Sequence, residues 1–213
     1  MLKQSSVVEM GEGKPHPGRR MTEAEFVEWC DHWTHAEWVD GEVILMAPDN
    51  SQHNRIVRFL TCMLDGFTQH HKCGELLIEK VQVRFAGLKR RREPDLCFIT
   101  TPRLKIIKTN HVEGAPDIVV EVVSPDCPSR DYRDKFIDYE AGGVKEYWII
   151  DPLTQHIELY TLGPKKRYVA ISEKDGKLHS KVLRGFYLKP EWLWQEPLPS
   201  WLRLLKELGV TLE

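Results

Sequence analysis

A single carboxylate interrupts the most apolar stretch of the chain. Residues 118–123 read Ile-Val-Val-Glu-Val-Val, with the acid at Glu121. A Val/Ile-rich run of this kind is typical of a strand that is buried on both faces in the middle of a sheet. A carboxylate there is costly unless it is paired, protonated or bound to a metal ion. Glu121 is therefore the strongest indication of function in the sequence.

The position of a second acid decides whether Glu121 can share an ion. Asp117 lies on the same predicted strand, and at about 3.3 Å per residue the two backbones are about 13 Å apart. We therefore interpret Asp117 as a strand-start residue or as a partner of Lys135, which lies in the helix predicted to follow this strand. Asp95 begins a different predicted strand, and neighbouring strands lie about 4.8 Å apart, so Asp95 can meet Glu121 if these strands are adjacent. Two carboxylates at a sheet suit Mg²⁺, which prefers oxygen ligands.

The neighbours of Glu121 predict how the metal-free protein accommodates this acid. Val119 and Val123 share its face of the strand, so we expect that face to offer few protein partners. The carboxylate then carries part of the desolvation cost of a buried ion. Since Gln has nearly the same size and no charge, Glu121→Gln is expected to keep or raise the thermal stability.

Positive charge is concentrated in one short run. The formal net charge is −2, so a nucleic-acid partner must be held by a local patch or by metal rather than by overall charge. Lys89, Arg90, Arg91 and Arg92 are predicted to form a turn that leads into the Asp95 strand. They are the best candidates for phosphate contacts. The alternative is a solvated turn that binds nothing.

Length and composition indicate one domain with additional segments. The chain has 213 residues, enough for a sizeable core. Residues 1–18 are predicted to be a disordered arm, residues 19–195 the folded domain and residues 196–213 a C-terminal helical tail. Five cysteines without a Cys-x-x-Cys pair favour reduced thiols in the cytoplasm. No run approaches transmembrane length, so no membrane partner is expected.

The predicted elements mix helices and strands. A capping box at Thr22 and Glu25 starts a short helix, and Asp40-Gly41 centres a hairpin. Residues 48–51 lead into a long amphipathic helix. Further strands are predicted over residues 76–85, 145–150, 157–160 and 167–172, a polar connection over 101–114 and a helix over 130–141.

Several segments together resemble a known family. They are residues 21–26, residues 37–42, Pro94-Asp95, residues 116–125, Asp131 with Lys135 and Tyr139, and residues 143–148. In this order and spacing they are similar to the PD-(D/E)XK nuclease superfamily, the fold of many restriction endonucleases. In detail they resemble its family of putative restriction endonucleases, formerly a domain of unknown function. The resemblance covers roughly residues 20–195.

The resemblance implies both a fold and an activity. The fold is α/β and restriction-endonuclease-like, with a central mixed sheet flanked by helices and additional C-terminal strands. The activity is hydrolysis of phosphodiester bonds in nucleic acid, with DNA as the first expectation, by Asp95, Glu121 and Lys135. Mg²⁺ or Mn²⁺ would be held by Glu37, Asp95 and Glu121, without another cofactor. The protein would be a homodimer.

One position departs from the superfamily pattern. The catalytic Lys usually stands two residues after the acid, where this chain has Val123. The resemblance implies that Lys135 on the next helix takes its place. The alternative for Lys135 is an ion pair with Asp131 on a solvated helix face. The alternatives for the protein are a non-catalytic nucleic-acid-binding or assembly protein on the same fold, and a structural oligomer without nucleic acid.

Two candidates in the N-terminal third keep an alternative interpretation. Glu37, a metal ligand by resemblance, could equally be a surface acid beside the hairpin. His53 lies near the start of the long helix, where it is a candidate for contact with a phosphate or for binding water. The alternative for His53 is a capping or exposed histidine.

Overall fold

In the part of the chain that the structure describes, two large β-sheets, one two-stranded sheet and five α-helices are present. The computed structural model describes residues 20–31, 34–48, 50–78, 80–124 and 129–211. The predicted arm at residues 1–18 lies outside the described residues. The helices are α1 (Glu23–Trp29), α2 (Ser51–His71), α3 (Phe136–Gly142), α4 (Pro190–Leu193) and α5 (Trp201–Glu207). The strands are β1 (Ala36–Val39), β2 (Glu42–Leu45), β3 (Gly74–Ile78), β4 (Gln82–Phe85), β5 (Arg90–Arg92), β6 (Leu96–Thr100), β7 (His111–Glu113), β8 (Ile118–Val122), β9 (Glu146–Asp151), β10 (His156–Leu162), β11 (Tyr168–Ala170), β12 (Leu178–His179) and β13 (Tyr187–Leu188).

The larger sheet carries the strand that contains Glu121. Its six strands run in the order β11-β10-β9-β8-β6-β3. β8 pairs in parallel with β9 and antiparallel with β6, in the register Leu96 opposite Val120. Continued by one residue, this register brings Asp95, just before β6, opposite Glu121. The sequence prediction that these two acids belong to adjacent strands is confirmed.

Both faces of this central sheet are covered, as its apolar sequence predicts. On one face, α2 packs its apolar stripe against alternate residues of β6, β8 and β9, including Phe98, Val120 and Trp148. α5 adds Leu204 and Leu205 to the same core. The predicted C-terminal helix is therefore present, and it packs as part of the main core.

The opposite face of the central sheet is the face of Glu121. Here Val119, Val123 and Tyr147 pack against Val83 and Phe85 of β4, and Tyr139 and Val144 come from α3 and the loop after it. β4 belongs to the second sheet, whose order is β2-β1-β5-β4-β7. Glu121 thus lies between the two sheets, close to where α3 crosses them.

The N-terminal elements form a small layer of their own. Thr22 and Glu25 make the predicted capping box at the start of α1. Asp40 and Gly41 have φ values of 49° and 91° and join β1 to β2, as expected for a two-residue hairpin turn. This layer places β1, and with it Glu37, next to β5.

Three predictions of local structure are wrong. Residues 76–85 are not one strand, since β3 and β4 belong to different sheets and Lys80 between them is left-handed, with φ 61°. Residues 101–114 are not only a loop, because Thr101–Ile106 is a 3₁₀ helix and β7 buries Val112. Residues 90–92 form β5, between β1 and β4, rather than a solvated turn.

The predicted helix over residues 130–141 is present with an irregular first half. Arg130–Lys135 is π-helical and continues directly into α3. Gly143, with φ 89°, ends the helix in the left-handed conformation. Short π-helical segments occur frequently at functional sites, and this one presents Asp131 and Lys135 to the interior.

The observed architecture confirms the predicted fold class. A mixed central sheet lies between α2 on one face and α3 with the second sheet on the other. β10, β11, β12 and β13 are the additional C-terminal strands. No helix in the described ranges is long and apolar enough to cross a membrane.

Candidate active site

A small cavity opens where β6 and β8 meet the π-helical segment. Its volume is about 230 Å³. Its acidic lining residues are Glu93, Asp95, Glu121 and Asp131, and its basic ones are His35, His53, Lys80, Arg130 and Lys135. The cavity therefore brings together Asp95, Glu121 and Lys135, the three residues predicted to be catalytic.

Asp95 is held at the cavity edge by two donors. Its Oδ2 accepts a hydrogen bond from the backbone N–H of Val122 at 2.6 Å, and Nε2 of His53 lies 3.2 Å from the same oxygen. The His53 side chain is buried, and its backbone N–H donates to Oδ1 of Asn50 at the start of α2. The His53 ring therefore positions the Asp95 carboxylate, and its role as a phosphate contact stays a prediction.

Glu121 has two protein partners, contrary to the expectation from its flanking valines. Nζ of Lys135 lies 2.7 Å from its Oε2, and the hydroxyl of Tyr139 donates to its Oε1 at 2.6 Å. Both partners come from the helical segment that packs over the strand, so the strand neighbours could not reveal them. Burial nevertheless outweighs the charge of Lys135 and raises the pKa of Glu121 to about 8.

Lys135 is the centre of a buried acidic cluster. Besides Glu121, its Nζ lies 3.3 Å from Oδ1 of Asp131 and 3.6 Å from Oε1 of Glu37. Burial lowers the pKa of Lys135, but the charges of Glu121, Glu37 and Asp131 outweigh it and hold the pKa well above its ordinary value. The pair with Asp131 considered as an alternative is present. It is buried rather than solvated.

Glu37 lies behind Lys135 rather than in the cavity. Its Oε2 accepts from Arg92 at 2.6 Å and its Oε1 from the backbone N–H of Glu93 at 3.1 Å. Burial raises the pKa of Glu37, but Lys135 and Arg92 outweigh it and hold the pKa below its ordinary value. The cavity lining does not include Glu37, so the carboxylate does not face the cavity in this structure, and its role as a metal ligand stays a prediction. Its contacts hold Lys135 and Arg92 in place.

The basic run is mostly internal, which corrects its prediction as a phosphate-binding turn. Arg92 is 2% exposed and donates to Asp138 at 2.6 Å as well as to Glu37. Arg91 pairs with Glu23, and Arg90 pairs with Asp40 and Asp138. Of the four residues only Lys89 is exposed. By these ion pairs the arginines join β5 to α1, to the β1–β2 hairpin and to α3.

The carboxylates of the cavity fit a hard divalent cation. Asp95, Glu121 and Asp131 offer only oxygen donors, and burial raises the pKa values of both Glu121 and Asp131. A cation would relieve this excess of acid. Among the described residues no three acids, histidines or cysteines stand close enough to hold a metal together. Mg²⁺ fits such a site, since it is usually held by one or two carboxylates and keeps several waters.

Sequence reasoning did not assign Tyr139, His35 or Glu93 to the site, and it gave Arg92 a different role. Tyr139 lies four residues after Lys135 and therefore on the same helix face, so its spacing could have indicated it as a partner of Glu121. The role of Arg92 was hidden by its position in a basic run. The contact of His35 Nδ1 with Oε1 of Glu93, at 2.7 Å, joins residues that no local pattern links.

Comparison with known proteins identifies the family to which this arrangement belongs. Residues 23–191 match the model of the Uma2 family, described as "Putative restriction endonuclease". The chain therefore belongs to the Uma2 family. It also matches the crystal structure of a putative nuclease belonging to DUF820 from Anabaena variabilis ATCC 29413, with a TM-score of 0.68 and 18% sequence identity. The match covers 85% of this chain and 99% of that one. No curated protein sequence matches significantly.

The buried position of Arg92 predicts a large loss of stability on its removal. Arg92→Met keeps the apolar stem and leaves Glu37 and Asp138 without their shared cation. Breaking a buried ion pair from one side costs about 3–5 kcal/mol. Urea unfolding should show a loss of this order, whereas the exposed Lys89→Met should change the free energy of unfolding by less than about 0.5 kcal/mol. Equal effects of the two substitutions would contradict the buried ion-pair network.

The raised pKa of Glu121 predicts how Glu121→Gln changes stability with pH. An acid whose pKa is raised on folding stabilises the folded state at low pH and loses that contribution as the pH rises, here between about 4.5 and 8. Gln does not titrate. The variant should therefore gain stability relative to the wild type from pH 5 to pH 9, by about 1.4 kcal/mol or more, the equivalent of one pKa unit.

Thermal melts across this pH range measure the effect. The exposed Glu75→Gln is the matched control and should show no such trend. A difference between Glu121→Gln and wild type that stays flat or shrinks with rising pH would show that Lys135 fully compensates the carboxylate.

Proposed function

We propose that the protein is a metal-dependent nuclease that hydrolyses phosphodiester bonds in DNA. The observation that carries this proposal is the position of Lys135, whose ammonium group lies 2.7 Å from Glu121 in the cavity that Asp95 also lines. Two carboxylates and an ammonium group around one cavity are the groups that metal-assisted phosphodiester hydrolysis requires. Membership in the Uma2 family supports the same reaction class.

Asp95 and Glu121 would hold the cation, with Asp131 beside them. Mg²⁺ or Mn²⁺ at this place would lower the pKa of the attacking water and neutralise charge on the phosphate. The position of His53 keeps the Asp95 carboxylate fixed through Oδ2. Two anionic groups on adjacent strands then face the same space without any rearrangement of the backbone.

Lys135 would stabilise the negative charge that develops on the phosphate oxygens. Its raised pKa keeps it charged at neutral pH, so it acts as a fixed electrostatic group. Glu37 and Asp131 hold the ammonium group on two further sides. Tyr139 holds the other oxygen of Glu121 through its hydroxyl, which burial and the charge of Glu121 keep protonated by raising its pKa.

One observation favours a second candidate function, a non-catalytic nucleic-acid-binding or assembly protein. Lys135 and Tyr139 together engage both oxygens of Glu121, and the usual Lys position is occupied by Val123, fully buried in the apolar core. On this alternative the cluster is a structural ion-pair network. A homodimer and a cytoplasmic location remain predictions under both functions.

Nicking of supercoiled plasmid DNA separates the two functions. The wild type should convert plasmid to the nicked form with Mg²⁺ or Mn²⁺ and not with EDTA. Asp95→Asn, Glu121→Gln and Lys135→Ala should each lower the rate by about 100-fold or more, as loss of a group that stabilises transition-state charge does. The exposed Glu75→Gln should cut at the wild-type rate.

Two results would reject the nuclease proposal. One is nicking that persists in Lys135→Ala preparations at the wild-type rate, which would mark a contaminant. The other is a folded wild type that binds plasmid but never nicks it with either metal. That result would favour the binding protein.

A further inference from the structure

We propose that Lys80 and Arg130 form a phosphate-binding rim at the opening of the cavity. They hold the DNA backbone over the acidic floor of the cavity, which consists of Asp95, Glu121 and Asp131. This inference rests on the proposed function and names the surface that contacts its substrate. Lys80 lies between β3 and β4, and Arg130 opens the π-helical segment. Both line the cavity that contains Asp95 and Glu121.

Among the described residues, the two rim cations differ from His35, His53 and Lys135 in that no acidic partner is found for them. Within the described ranges neither Lys80 nor Arg130 forms an ion pair. The polar contact of Arg130 is to Sδ of Met46 at 3.5 Å, and sulfur is a weak acceptor. Lys135, by contrast, is surrounded by three carboxylates. Rim charges without internal partners remain available to an external anion.

The acidic residues of the cavity make basic groups at its opening favourable for an anionic substrate. Asp95, Glu121 and Asp131 face the cavity with one buried ammonium group among them. A phosphodiester that approaches these carboxylates is repelled at close range unless cations offset them. Lys80 and Arg130 come from different elements of the cavity wall, so together they attract the backbone to the opening.

The dimensions of the cavity favour a polymer backbone over a free small molecule. Its volume of about 230 Å³ is below the range of about 300–1,000 Å³ typical of sites that enclose small ligands. A site of this size admits a phosphate group while the rest of a long substrate lies outside. The two cations at its rim then meet phosphates that carry no sequence information, so they contribute affinity rather than sequence preference.

Salt-dependent DNA binding tests the rim directly. The variants are Lys80→Met and Arg130→Met, alone and combined, since Met keeps an apolar stem and removes the charge. Binding of a fluorescein-labelled DNA duplex is measured by anisotropy in Ca²⁺ at several salt concentrations. Each lost phosphate contact should reduce the slope of log affinity against log salt by about 0.9, and the double variant by about 1.8. Affinity at low salt should fall several-fold for each.

Two matched controls decide where the phosphates lie. Lys165→Met removes an exposed charge in the turn between β10 and β11, and Lys89→Met removes the exposed member of the basic run. Both should keep the wild-type slope. Arg130→Lys, which keeps the charge, should also keep most of the slope and shows that loss of packing does not explain Arg130→Met.

Three outcomes would reject the proposal that Lys80 and Arg130 contact phosphates. They are wild-type slopes in both rim variants, a reduced slope in Lys89→Met in place of the rim variants, and a wild type that binds the duplex without salt dependence. The plasmid assay separates these failures from failure of the nuclease proposal. If the wild type nicks DNA while the rim variants keep the wild-type salt slope, the nuclease proposal is supported and the proposed role of Lys80 and Arg130 is rejected.

Discussion

The structure of this site depends on one buried ammonium group. Lys135 is 1% exposed, and desolvation of a charge at such a position is compensated only by close partners of opposite sign. Glu121, Asp131 and Glu37 supply them from three different elements. One cation thus faces three acids, and two of these acids, Glu121 and Asp131, also line the cavity.

The same interaction joins the two sheets. Glu37 belongs to β1 of the five-stranded sheet and Glu121 to β8 of the six-stranded sheet, and Lys135 bridges them. Arg92 extends the connection from Glu37 to Asp138 in α3. Packing between the sheets is apolar around Val119 and Tyr139, and this ionic chain adds directional contacts to it. Site geometry and domain assembly are therefore maintained by the same side chains.

How much of the site the sequence could predict depends on how far apart in the sequence the interacting residues lie. Asp95 and Glu121 could be paired in advance, because a buried acid in an apolar strand and the spacing between strands are local facts. Lys135 was reached by family resemblance, and Tyr139, the other partner of Glu121, was accessible from helical spacing. The ion pair between Arg92 and Glu37 was not predicted, because it joins residues 55 positions apart. A basic run looks the same in sequence whether it meets solvent or buried acids. Its burial in β5 depends on which strands become neighbours.

Binding of Mn²⁺ to the purified protein, followed by the electron paramagnetic resonance signal of the free ion, tests the central claim that this acid-rich cluster is a cation site. The account predicts that the wild type and the exposed-site control Glu75→Gln bind Mn²⁺ alike. Glu121→Gln and Asp95→Asn should lose that binding while remaining folded, because each removes an anionic oxygen from the cavity. Unchanged Mn²⁺ binding in folded Glu121→Gln, or absence of binding in the wild type, would contradict the account.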